Sequence, residues 1–292
     1  MERRQLEYFL AVVDHQGITA AAAALRVSQP SLSQGVRQLE RDLGTPLFDR
    51  IPRGVRLTSA GEALLAPARQ VVRDLATARS AVQDVRGLAG GRLELAMLPA
   101  LTLQPFAPVL ADFRTRFPRV RIAISQPEEA AAVGELVRTG RAELGFLDQF
   151  RDTAGELETE YLLDQELLAV LPPDSARTDE PIGIGELLGH GLITGTKGTL
   201  ARDLVERWAD EHGREAEPAI EVGRRETGVH LVVAGAGVSI FPEPLARVAH
   251  ALGAVVRPLR PRLPRRIALC HRGGPMSPAA RAFADLARRA CR

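Results

Sequence analysis

Three short helical patterns crowd the start of this chain, and their spacing leaves that end little conformational freedom. Leu6, Phe9, Leu10 and Val13 recur at helical spacing, and Gly17 closes that run. Thr19 is a suitable N-cap for the alanine-rich stretch Ala20 to Leu25, after which the chain turns through Arg26 and Val27. Ser28 then caps a third helix, with Pro30 in its first turn, where a missing N–H costs nothing. Leu32, Val36 and Leu39 give that helix one apolar face, leaving Ser31, Ser33, Gln34 and Arg37 directed outward. Ala21, Ala22 and Ala24 let the second and third helices approach closely. Two short helices joined by a tight turn, the second opening on small polar side chains, form a helix-turn-helix pattern. A helix fits the DNA major groove, and this one offers Gln29, Ser31 and main-chain N–H groups to base edges and phosphates. A plain three-helix bundle with a polar outer face fits the same spacing.

The next segment favours the DNA reading. Between the apolar anchors Phe48 and Leu57 lies an arginine-rich, glycine-containing stretch that reads as a β-hairpin wing. Its Arg50, Arg53 and Arg56 suit phosphates or a neighbouring minor groove, a contact with little sequence information. Ser59-Ala60-Gly61-Glu62 then has capping-box form. Leu64, Ala68, Val71, Leu75, Ala78, Val82 and Val85 follow by fours and threes, the seam of a coiled coil. No second long helix is evident nearby, so a second copy of the chain is the expected partner, with Leu64, Val71, Leu75 and Val82 at the seam. Pro67 is expected to bend this helix, and Gly87, Gly90 and Gly91 mark a hinge.

From Arg92 onward strand and helix signals alternate. Strands are expected at Leu93 to Met97, Val120 to Ile124, Leu144 to Leu147, Leu167 to Leu171, Leu192 to Thr194, Ala219 to Val222, Val238 to Ile240, Val255-Val256 and Ile267 to Cys270. Helices are expected at Phe106 to Arg116, Glu128 to Thr139, Leu200 to His212, Gly228 to Ala234 and Pro278 to Ala290. Such alternation implies parallel βαβ units in two subdomains facing a cleft, where ligands meet strand C-termini and helix N-termini. A length of 292 residues accommodates two or three domains. The first 90 residues carry 12 arginines against 9 acidic residues, a mild excess that alone says little about a polyanion partner. Arginine supplies 37 of the 38 basic residues, Lys197 being the exception, and compositional bias accounts for that.

Several classes find no support. Cys270 and Cys291 cannot build a disulfide framework, and no CxxC or HExxH spacing occurs, so no metal or cofactor is expected. Cys270 and His271 are neighbours on a strand and diverge, and Ser239 lies outside a nucleophile elbow. No apolar run approaches the roughly 20 residues that span a bilayer, and the amino end lacks a signal-peptide segment. A cytoplasmic protein without membrane association is therefore expected.

The whole chain resembles the LysR-type transcriptional regulators. The residues that carry the likeness are Gln5-Leu6-Glu7-Tyr8-Phe9, the run from Ala23 to Ser33, Arg37-Gln38-Leu39-Glu40, Leu43-Gly44, Pro46-Leu47-Phe48, Arg50 and Leu57-Thr58-x-Ala60-Gly61. A looser match continues in Phe113-Arg114-x-x-Phe117-Pro118 and Gly235-x-Gly237-Val238-x-Ile240-x-Pro242. The resemblance implies an all-α winged helix-turn-helix followed by an α/β effector domain of two Rossmann-like subdomains, of type 2 periplasmic-binding-protein form. It places the DNA-binding domain at 1–58, the linker and dimerisation helix with its hinge at 59–90, and the effector domain at 91–292. Subdomain I then comprises 91–163 plus 265–292, and subdomain II 164–264. The implied partners are double-stranded promoter DNA, a small-molecule effector, a second copy in a homodimer or homotetramer, and RNA polymerase.

DNA contacts fall to Thr19, Ser28, Gln29, Pro30, Ser31, Ser33, Gln34, Arg37, Arg50 and Arg53. The effector cleft falls to Pro99, Ala100, Leu101 and Thr102, to Gln126 and Pro127, and to Thr196, Lys197, Gly198 and Thr199. Hydroxyls, a cation and a glycine ahead of a helix suit a small anion, although a solvated lysine beside a cap fits equally. The P-loop spacing is absent. Two departures from the family pattern stand out. Gly35 lies inside the recognition helix, either to admit the DNA backbone or as tolerated change, and Ala20 stands where a basic residue is usual. A solute-binding protein and an α/β enzyme are the alternatives; the first lacks an export signal, and the second lacks any nucleophile–base arrangement.

Overall fold

A computed structural model describes residues 1–51, 54–84, 91–148, 157–213 and 215–291. The amino end folds as α1 (Arg3–Asp14), α2 (Ile18–Leu25) and α3 (Gln29–Leu43), followed by a hairpin of β1 (Phe48–Ile51) and β2 (Gly54–Leu57) with Phe48 opposite Leu57. Leu6, Phe9, Leu10, Leu39 and Leu47 form one apolar cluster, and Tyr8, Ala11, Val12, Ala21, Ala22, Leu32 and Val36 form another.

Three local expectations need correction. Helix α2 begins at Ile18, with Gly17 in the N-cap position, so Thr19 lies inside the first turn. The chain turns earlier than expected because Gln16 adopts a left-handed φ of 53° and the Gly17 N–H bonds back to the Val12 carbonyl. Ala24 is exposed, so Ala21 and Ala22 provide the close helix contact. Gly35 faces α1: a β-carbon there would lie 2.5 Å from Tyr8 Cδ2. The glycine makes room for a buried ring and leaves the DNA side of the helix unaffected.

Helix α4 (Ser59–Asp84) runs without interruption past Pro67. Its cap is Thr58, one residue before the expected Ser59. The Thr58 hydroxyl accepts from the Gly61 N–H at 3.1 Å and donates to the Pro46 carbonyl at 2.8 Å, which fixes the helix to the hairpin. Two adjacent hydroxyl residues compete for that role, and the one bonded to the hairpin takes it. Leu64 and Ala68 pack on the helix-turn-helix core, whereas Val71 and Leu75 are each 39% exposed. The Val82 side chain, Val85, Gly87 and Gly90 lie outside the described residues, as does Arg53; Gly91 starts the next strand.

The remaining elements are β3 (Gly91–Met97), α5 (Pro99–Leu103), α6 (Phe106–Arg116), β4 (Val120–Ser125), α7 (Ala130–Arg138), β5 (Leu144–Asp148), β6 (Glu158–Leu171), β7 (Ile182–Gly183), α8 (Ile184–Leu188), β8 (Ile193–Gly195), α9 (Leu200–Glu211), β9 (Ile220–Val222), α10 (Arg225–Val233), β10 (Ser239–Pro242), α11 (Glu243–Ala251), β11 (Val255–His271) and α12 (Pro278–Ala290). Strand β3 pairs in parallel with β4 and β5, as βαβ units require. Strands β8 and β9, which flank α9, repeat the parallel unit, but the long strands depart from the all-parallel expectation. Strand β11 runs antiparallel to both β5 and β6, and β6 antiparallel to β10. The strands expected separately at Val255-Val256 and Ile267 to Cys270 are one 17-residue strand, irregular between Pro258 and Leu263.

The long pair β6–β11 threads two bodies. One buries Leu93, Leu95, Phe106, Phe113, Val133, Phe146, Leu269 and Phe283. The other packs Leu167, Leu192, Val205 and Ile240 on one side of its strands and Val170, Ile193, Val229 and Phe241 on the other. Paired strands crossing between two cores make a connection that bends more readily than it shears, because shear would break the ladder.

Candidate nucleic-acid interface and effector cleft

Helix α3 presents its first turn to solvent. Arg26 takes a left-handed φ of 54°, and the N–H groups of Arg26 and Val27 bond back to the carbonyls of Ala23 and Ala22, so α2 stops abruptly. The Ser28 hydroxyl accepts from the Ser31 N–H at 3.3 Å and lies 2.8 Å from the Ser31 hydroxyl. Thr19, Ser28, Gln29, Pro30, Ser31, Gln34 and Arg37 are exposed, and Ser33 is half-buried. They form a polar surface at the positive end of a 15-residue helix. Ala20 is exposed beside it. Beyond Arg50, whose backbone lies in β1, the wing shows Arg56 exposed and 3.6 Å from Asp49.

Glu40 figures in the sequence only as part of the family motif, with no role attached. Its Oε1 accepts from the N–H groups of Leu47 and Phe48 at 2.9 and 3.4 Å, so the recognition helix itself holds the start of the wing. Arg69 of α4 is a second residue that ties elements together. It is buried, its Nη2 lies 2.5 Å from Asp14 Oδ1 at the end of α1, and its Nη1 donates to the Thr139 carbonyl at 3.0 Å. Burial pulls this guanidinium below its usual range, with Asp14 opposing. Arg272 donates to Gln70 of the same helix and to the Val137 carbonyl.

At the cleft, Pro99, Ala100 and Leu101 are buried in α5, so they supply wall and little chemistry. Thr102 and Gln126 come together: Gln126 Nε2 donates to Thr102 Oγ1 at 2.7 Å, beside a half-buried Pro127. Lys197 is exposed. Thr199 is buried at the N-cap of α9, and its hydroxyl donates to the Thr196 carbonyl at 2.9 Å, so the oxygen is left to accept. Gly198 needs its φ of 88°, and a β-carbon there would lie 3.3 Å from the Glu129 carboxylate. The 126–129 segment of one body thus reaches the 196–199 turn of the other.

The strongest charges in this region were not anticipated. Arg265 of β11 is 1% exposed; Nη2 donates to Gln165 Oε1 at 2.6 Å and Nη1 to Asp148 Oδ2 at 3.3 Å. Burial lowers its pKa to about 10; Asp148 opposes that shift and Arg225 adds to it. Arg225, at the start of α10, is 7% exposed, and its Nη2 donates to the Glu128 carbonyl at 3.0 Å. Its Nε lies 3.3 Å from Glu128 Oε2. With 37 arginines in the chain, none of these stood out. Among the described residues no group of three or more His, Cys, Asp or Glu side chains could hold a metal ion. Nor is any described helix long and apolar enough to cross a membrane. Ser239 is a buried strand residue donating to the Ile193 carbonyl at 2.7 Å.

Comparison with known proteins matches residues 3–62 to the family described as bacterial regulatory helix-turn-helix protein, lysR family. Residues 86–292 match the LysR substrate binding domain. A hydrogen peroxide-inducible genes activator of Pectobacterium carotovorum subsp. carotovorum is 25% identical over 276 residues, 94% of this chain and 91% of that protein. Full-length OxyR from Pseudomonas aeruginosa, solved as a variant, superimposes with a TM-score of 0.75 at 25% identity, covering 99% of this chain and 94% of that one. CbnR, solved full-length with its target DNA, gives a TM-score of 0.66 at 24% identity, covering 99% and 100%.

Proposed function

The chain belongs to the LysR family, whose members join a DNA-binding helix-turn-helix to an effector-binding domain, and from that premise we propose how its own residues divide the work. Ser28, Gln29, Pro30, Ser31, Ser33, Gln34 and Arg37 enter the major groove, and Thr19 touches the adjoining backbone. Arg50 and Arg53 of the wing meet phosphates. The observation that carries this reading is the uncovered, polar first turn of α3, with Ser28 already holding the Ser31 N–H.

The boundary before residue 91, and the split into subdomain I as 91–163 plus 265–292 and subdomain II as 164–264, are supported by separate apolar clusters, whereas 1–58 and 59–90 share one through Leu64 and Ala68 and are divided only by the start of α4. Exposed Val71 and Leu75 support pairing of two copies along α4, with Leu64 and Val82 on the same seam; two such dimers make the tetramer. The operator is then a pseudo-palindrome with half-sites spaced by whole helical turns. RNA polymerase is the further partner, and the cytoplasm, where promoter DNA lies, is the working compartment. The protein acts by binding and release, without catalysis.

The signal is a small molecule in the cleft bounded by Thr102, Gln126 and the 196–199 turn, with Lys197 at its rim. Thiol oxidation, a second reading that the relative described as a hydrogen peroxide-inducible genes activator invites, is less well supported. Burial holds the Cys270 thiol up at about 12 and the Cys291 thiol at about 11, far from the low values reactive thiols need. A mobility-shift assay with duplexes flanking the gene tests the proposal. Gln29→Ala and Ser33→Ala lower affinity for the specific duplex, and Arg53→Ala reduces the salt slope by about one. Equal binding of every duplex by the wild-type chain overturns it.

A further inference from the structure

We infer that Arg225 is the anion receptor of the effector cleft, and that in the structure described the Glu128 side chain occupies it as a built-in carboxylate which a carboxylate-bearing effector displaces. This rests on the cleft reading above and assigns its chemistry. Glu128 belongs to the segment leading into α7, in the body that contains β3, β4 and β5, whereas Arg225 opens α10 in the other body. Their contact therefore bridges the cleft.

The pairing is poor for one so buried. Arg225 Nε and Glu128 Oε2 lie at ion-pair distance, yet that oxygen is buried and has no hydrogen-bond donor. A carboxylate oxygen buried without a donor is costly, and partial burial raises the Glu128 carboxyl above its usual range, with Arg225 opposing and Glu226 adding. By contrast, the guanidinium is held in place independently, through Nη2 and the Glu128 main-chain carbonyl. Removing the side chain leaves that bond intact and frees a well-oriented guanidinium. A mobile carboxylate can align on the guanidinium fork as a side chain on a short loop cannot.

The buried Arg265 is by contrast matched by its own carboxylate, Asp148 at 3.3 Å, which leaves Arg225 as the cation of this region open to exchange. Displacing the Glu128 side chain also removes its ion pair across the cleft, while the Glu128 carbonyl keeps its bond to Arg225. Ligand entry and loosening of the bridge between the two bodies are thus one event. Lys197, exposed at the rim, is not needed as the receptor.

The test uses the full-length chain and sodium acetate as the probe, against sodium chloride at equal ionic strength, with the thermal midpoint as the readout. Glu128→Ala opens the receptor, so acetate at 0.1 M raises its midpoint by about 2–4 °C above chloride. Glu128→Ala/Arg225→Gln shows no difference between the salts. In the wild-type chain the acetate response is at least tenfold weaker in apparent affinity and is lost in Arg225→Gln, a comparison that holds even where Glu128→Ala does not fold. An acetate response that survives Arg225→Gln, or none in any variant, overturns the inference. Duplex binding is measured on the same preparations. No acetate response in the wild-type chain or in Glu128→Ala, with duplex selection intact, sinks only this assignment, whereas failure of the wild-type chain to select a duplex sinks the DNA-binding proposal.

Discussion

Replacing Gly35 by alanine sets two known effects against each other. Alanine favours a helix interior over glycine by roughly 0.5–1 kcal/mol, so on propensity alone the variant is more stable. Against this, the new methyl would lie 2.5 Å from Tyr8 Cδ2 and 3.0 Å from Cε2. The ring cannot easily retreat, because Tyr8 is 6% exposed and its hydroxyl accepts from Arg4 Nε at 2.7 Å. Overpacking of this kind costs about 1–3 kcal/mol. The clash outweighs the gain in propensity, and Gly35→Ala loses about 1 kcal/mol net, a fall of roughly 4–8 °C for a unit of this size. Calorimetry of the full-length chain measures it. A double-mutant cycle with Tyr8→Val, which removes both clashing atoms, isolates the contact. In that background the alanine becomes stabilising by its propensity alone. Duplex affinity of the folded variant changes less than threefold, since the methyl points toward α1. A higher melting temperature in the wild-type background, together with weakened DNA binding, would refute the reasoning and return the glycine to the DNA surface.

Ser28→Ala loses the α3 cap and about 1 kcal/mol, whereas Ser28→Asp keeps the cap and repels phosphate, so denaturation and duplex titration separate the two roles; wild-type affinity in Ser28→Asp contradicts this. Gly61→Ala forces a methyl to 2.3 Å from the Leu47 carbonyl oxygen and 2.7 Å from Leu57 Cδ2, and backbone cannot yield as a side chain does. A loss of at least about 2 kcal/mol in urea unfolding is expected, and a neutral result contradicts the junction described. For the cysteines, folded values raised to about 12 and 11 from the usual 9 favour the neutral thiols in the native state. Their contribution to stability is present below pH 9 and is lost as the pH climbs toward 12. Iodoacetamide at pH 8 should label the folded chain slowly and peroxide should leave duplex binding unchanged; fast labelling overturns the burial argument.

How much of this was legible depended on whether the signal was local. Helix α3 could be read because its cap, its proline and its apolar face all fall within a dozen residues. The cap of α4 shifted by one because Thr58 and Ser59 offer the same chemistry, and only the distant Pro46 carbonyl distinguishes them. Gly35 was visible as an oddity, but its reason sits 27 positions away on α1. Strand β11 was split in two because prolines at 258, 261 and 264 and interspersed arginines disguise a continuous extended segment. At the cleft, Lys197 drew attention through composition, while Arg225 and Arg265 looked like any other arginine until burial set them apart.

The acceptor that Arg69 finds on the effector domain is the main-chain oxygen of Thr139, and its acceptor on the reader is the Asp14 side chain. Genetic screens will see this asymmetry. Substitutions at 139 leave the oxygen where it is, so suppressors that uncouple sensing from promoter occupancy should arise at 69 or 14. A scan confined to effector-domain side chains would miss this contact and meet the linker helix through Arg272 on Gln70 instead.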